Sequence, residues 1–68
     1  MEYSNSQMTE IIAEYIHDKR NRSVMLSRMI DNDTIERIAE KYELSVSQVK
    51  RIIRKNMDII FRHMPKES

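Results

Sequence analysis

The sequence predicts an all-α fold, a small bundle of about four helices, and three observations carry that prediction. The chain has 68 residues and no glycine, so tight hairpins and phosphate-cradling loops lack the residue they usually need. Its apolar residues recur at helical rather than alternating spacing, as at Met8, Ile11, Ile12, Tyr15 and Ile16. Its single proline is Pro65, which leaves the preceding residues without a strong helix breaker. A chain of this length forms one domain, residues 1–68, with a thin margin of stability. Without cysteine the core must consist of packed apolar side chains, and ten isoleucines and six methionines supply most of it.

The first helix is expected from about Ser6 to Arg20, with Met8, Ile11, Ile12, Tyr15 and Ile16 on one face. The polar run from Asp18 to Ser23 then reads as a turn or helix junction. Met25, Leu26, Met29 and Ile30 mark a short second helix. Asp31-Asn32-Asp33 interrupts it, because such side chains bond to local backbone and tolerate left-handed conformations. Asp33 is the expected cap of the third helix, with Glu36 reaching back as in a capping box. Ile35, Ile38, Ala39 and Tyr42 give that helix its apolar face. Ser45 and Gln48 repeat the capping signature, opening a fourth helix expected to reach about His63 before Pro65 stops it. Residues 1–5 and 65–68 read as frayed ends.

At about 100° per residue, Val46, Val49, Ile53, Met57, Ile60 and Met64 of the fourth helix share an arc of roughly 80°, its expected core face. Ser47, Arg51, Arg54, Lys55, Asp58 and Arg62 gather on the opposite side, flanked by Lys50 and Gln48. Charge is distributed unevenly along the chain as well. Residues 1–45 carry six basic against nine acidic groups, and residues 46–68 carry six against two. The net charge of +1 therefore conceals an acidic first part and a basic end, and a basic end commonly meets a polyanion.

Residues 35–54 read Ile-Glu-Arg-Ile-Ala-Glu-Lys-Tyr-Glu-Leu-Ser-Val-Ser-Gln-Val-Lys-Arg-Ile-Ile-Arg, and this segment resembles the helix-turn-helix unit of DNA-binding proteins. Ala39 is the small residue at the helix crossing, Leu44 the apolar plug of the turn, and Val49 the branched residue beneath the first helix, with Ile52 or Ile53 behind it. The unit covers about residues 34–55. More widely, Arg20 to Lys55 resembles region four of bacterial sigma factors and the small phage or mobile-element proteins that share the module. Glu43 stands where that family most often has glycine. A left-handed residue there costs roughly 1 kcal/mol more than glycine; the alternative is a slightly different turn.

The resemblance implies double-stranded DNA as partner and a transcription-regulating function. Together with helix geometry it directs Val46, Ser47, Lys50, Arg51 and Arg54 toward bases in the major groove. Ser45, Gln48, Lys55 and Arg62, with Arg20, Arg22 and Arg28 from earlier elements, are the expected phosphate contacts. Two alternatives stay open: a protein-interaction module on the same fold, for example one contacting RNA polymerase, and a phage DNA-packaging or recombination accessory protein. Ile59 and Phe61 widen the apolar arc late in the fourth helix to roughly 200°, beyond the ~100° stripe a surface helix needs. Either the first helix covers this excess or a second copy does, forming a homodimer.

Other chemistries find little support. Glu10 and Glu14 lie one turn apart, but an acid–base pair needs a pocket between elements. Asp31-Asn32-Asp33 lacks the glycine and the final glutamate of a calcium loop. His17 and His63 have no companion ligands and read as partly exposed surface histidines. The methionines read as core filler. No catalytic, metal-binding or cofactor-binding residue is expected, and the chain reads as a non-enzyme. No apolar run approaches the roughly 18–20 residues that span a bilayer, and no signal peptide opens the sequence, so the expected location is the cytoplasm.

Overall fold

The computed structural model describes residues 5–63. They form four helices: α1 (Asn5–Tyr15), α2 (Lys19–Met29), α3 (Ile35–Lys41) and α4 (Val46–His63). The expected positions of Met64 in the core, of Pro65 as a stop, and of residues 1–4 and 65–68 as frayed ends lie outside the described residues. Asn5, expected in the first of these ends, is already helical.

Three boundaries differ from the sequence expectation. α1 stops at Tyr15, five residues early, although Ile16 still donates its N–H to the Ile12 carbonyl (3.1 Å) and is buried. Asp18 explains the break: its backbone is extended, and its carboxylate accepts from the N–H of Asn21 at 3.0 Å. The polar run after it is the opening of α2 rather than a turn. Polarity misleads there because Lys19 and Arg20 lie on a solvent-facing side. The third helix is capped by Thr34 and not by Asp33, with Thr34 Oγ1 accepting from the Arg37 N–H at 3.1 Å. Asp33 is drawn away by cations, pairing with Arg37 at 3.6 Å and Lys41 at 3.3 Å. Glu36, expected to complete that box, is exposed.

Packing divides the interior into two clusters. In the first, Met8, Ile11, Ile12 and Ile16 of the α1 region meet Met25 of α2 and Ile60 of α4. In the second, Val24 of α2, Ile38 and Ala39 of α3 and Val49 of α4 are buried together, with Ile35, Tyr42, Leu44 and Ile52 against them. Ile53 packs on both clusters. Burying a side chain of this size is worth about 1.5–3 kcal/mol. Between the clusters Asn56 is buried on α4, its amide donating to the Ile52 carbonyl at 2.8 Å. The buried arc of α4 is therefore turned about 40° from the expected one, toward Ile52 and Asn56. Val46 is accordingly exposed and Met57 only half-buried. Asn56 tolerates the interior because its donor is satisfied within its own helix.

A polar lock joins α2 to α3. Ser27 is buried, and its Oγ lies 3.1 Å from the Tyr42 hydroxyl and accepts from Lys41 Nζ at 3.3 Å. Arg28 donates to the Asp33 carbonyl at 3.0 Å. With no glycine in the chain, non-glycine residues take the left-handed backbone positions: Asn32 at φ 58° and Glu43 at φ 57°. Asparagine accepts this conformation readily and glutamate does not. The turn thus adopts the left-handed geometry at Glu43 and bears its cost.

Two outcomes follow. Glu43→Gly relieves the strained turn and raises stability by up to about 1 kcal/mol, whereas Glu43→Val lowers it by at least as much. Thermal melts of the pair check this, and a valine variant as stable as the parent would contradict it. Ala39 is 6% exposed within the second cluster, so Ala39→Leu overpacks it and costs about 1–3 kcal/mol in the same assay. An unchanged melt would mean that the α3–α4 junction has room to spare.

Candidate nucleic-acid interface

The start of α4 is held by reciprocal bonds. Ser45 Oγ accepts from the Gln48 N–H at 3.1 Å, and Gln48 Oε1 accepts from the Ser45 N–H at 2.9 Å. The Ser45 carbonyl receives the first helical bond, from the Val49 N–H, at 3.1 Å. This capping box fixes where the helix begins and hence which side chains stand on its first turns. The burial of Val49 fixes its rotation.

With the inner face so anchored, Ser47, Lys50, Arg51 and Arg54 are exposed and together line one open surface depression. Ser47 to Arg54 spans about 10 Å along the helix axis. Val46, at 36% exposure, stands at the head of the same helix. The side chains of Lys50, Arg51, Arg54 and Lys55 form no ion pair or hydrogen bond among the described residues. Four cations on adjoining turns with no internal counter-charge raise the local potential and favour an anion outside the chain.

The remaining sequence-predicted residues are used differently. Arg62 is exposed and pairs with Asp58 one turn earlier at 3.0 Å. Arg22 is half-buried, and its Nε donates to the Ile16 carbonyl at 3.1 Å, tying the α1–α2 corner together. Arg28 holds the Asp33 carbonyl, and Arg20 is exposed on the first turn of α2. A guanidinium has five N–H donors, so Arg22 and Arg28 keep others to offer. Ser45 and Gln48 spend their side-chain oxygens on the cap.

Sequence reasoning passed over Arg37 and Lys41, which are exposed on α3 and with Glu40 line a second depression. Arg37 four residues after Asp33, and Lys41 four after Arg37, was the available signal. It also passed over a ring stack at the far end of α4, where His63 lies parallel to Tyr15 with centroids 3.6 Å apart. That stack joins two residues 48 apart in sequence, and no local pattern announces it. Both histidines are otherwise exposed.

Among the described residues no group of three or more histidine, aspartate or glutamate side chains is placed to hold a metal ion. Among the described residues no helix is long and apolar enough to cross a membrane. Comparison with protein-family models, with curated proteins and with solved structures gave no match.

Proposed function

We propose that the chain is a DNA-binding module, most simply a transcriptional regulator of the kind that sigma factor region four resembles, and that the first turns of α4 read the major groove. The observation that carries this reading is the exposed, internally unpaired set Lys50, Arg51 and Arg54 beside Ser47, on the side of α4 opposite its buried residues. The ~10 Å they span fits a groove about 12 Å wide. Arg51 makes a bidentate contact to guanine O6 and N7, Val46 meets a thymine methyl group, and Ser47, Lys50 and Arg54 complete the base-reading set. Ser45, Gln48, Lys55, Arg62, Arg20, Arg22 and Arg28 supply phosphate contacts, Arg22 and Arg28 with the donors their internal bonds leave over.

Selection from a random duplex library followed by binding titrations tests this. Arg51→Ala costs about 1–3 kcal/mol at the selected site and relaxes one base position. Lys55→Ala weakens all sequences alike and lowers the log–log salt slope by about 1. Failure to retain any duplex at low salt would leave the second reading, a protein-interaction module such as one contacting RNA polymerase. What favours that reading is the exposure of Glu10, Glu14, Glu36, Glu40 and Glu43.

Self-association belongs to the same proposal. Phe61 is 62% exposed whereas Ile59 is half-buried, so Phe61 is the residue a second copy covers. A two-fold dimer sets two recognition helices about 34 Å apart, one turn of DNA. Sedimentation at tens of micromolar decides, since a species of 8.2 kDa that Phe61→Asp leaves unaltered would remove the dimer.

A further inference from the structure

The bond that caps α4 occupies only one end of the Gln48 amide. A backbone N–H can only donate, so the atom of Gln48 lying 2.9 Å from the Ser45 nitrogen is the amide oxygen. The cap thus uses the amide oxygen alone and leaves the NH2 group unspent. Gln48 is exposed, and that group has no partner among the described residues. It stands beside Ser47 and three residues ahead of Arg51, at the edge of the unpaired basic face.

Glutamate would complete the same box equally well and would gain from the positive end of the helix dipole. For helix stability alone it is the better residue. We propose that Gln48 is a positioning residue of the DNA site: its oxygen caps α4, its nitrogen donates to a phosphate oxygen at the groove edge, and its neutrality leaves Arg51 free. This rests on the DNA reading of α4. A carboxylate at position 48 would oppose that reading twice. It would repel the phosphate, and it would offer Arg51 an ion pair at i, i+3 that draws the guanidinium back onto the helix. One side chain therefore both sets the start of the helix and keeps the start of the helix uncharged toward DNA.

Three proteins test this: the parent, Gln48→Glu and Gln48→Lys. Each is melted thermally and titrated with a random-sequence duplex between about 50 and 200 mM salt. Gln48→Glu melts at or above the parent temperature yet binds at least about tenfold more weakly. Gln48→Lys loses the acceptor for Ser45 and melts lower, but binds no more weakly, with a salt slope steeper by about 1. A glutamate variant that binds within about twofold of the parent overturns the role of Gln48 while leaving the DNA reading intact. A glutamate variant that melts well below the parent overturns the cap on which the proposal stands. A parent that binds no duplex in this range removes the DNA reading, and the role of Gln48 with it.

Discussion

Val49 and Ile60 are both fully buried on α4, three helical turns apart, and in different clusters. That pair of anchors fixes the rotation of α4, and everything on its outer face follows. Removing a side chain of this kind from a packed site costs about 2–5 kcal/mol, whereas an exposed ion pair such as Asp58–Arg62 contributes about 0–1 kcal/mol. The apolar contacts therefore decide which way the helix turns, and the charges take the positions left to them. Lys50, Arg51 and Arg54 stand together because Val49 and Ile53 are held beneath them.

The two clusters divide the labour. The one around Val24, Ile38, Ala39 and Val49 holds α2, α3 and the first half of α4 together, and so builds the frame of the candidate interface. The one around Ile12, Met25 and Ile60 attaches α1 and steadies the second half of α4, helped by the Tyr15–His63 stack. Asn56 lies between them. Its amide satisfies its own helix, so the seam carries little cost, but it adds none of the burial an aliphatic side chain would give. Ile53 bridges the seam and couples the two halves.

Apart from Lys19 and Arg20, exposed at the start of α2, the cations fall into two groups by what lies near them. Arg22, Arg28, Arg37 and Lys41 close corners and helix ends, each bonded to a carbonyl, a hydroxyl or the Asp33 carboxylate. Those on the first turns of α4 have no such partners, since the only aspartate of α4, Asp58, sits further along and takes Arg62. The acidic excess of the first 45 residues is partly spent within that segment. An almost neutral chain thereby presents one unbalanced basic face.

The sequence by itself determined the helical class, the apolar faces of α1 and α3, the Ser45–Gln48 cap and the basic stripe of α4. These are local properties: spacing at 3.6 residues per turn and bonds spanning three or four positions are set by neighbours along the chain. The left-handed requirement at Glu43 was readable as one of two alternatives, and the tertiary structure chose it by closing Leu44 down onto the second cluster. Tertiary structure also decided the cap at Thr34, because Asp33 had a choice between a backbone N–H and the cations of α3. It decided the burial of Asn56 and Ser27, and the Tyr15–His63 stack. The early end of α1 rests on a local bond from Asn21 to Asp18 that the polar run concealed, whereas the others depend on a group from another helix or on competition between partners, which the order of residues along one helix does not record.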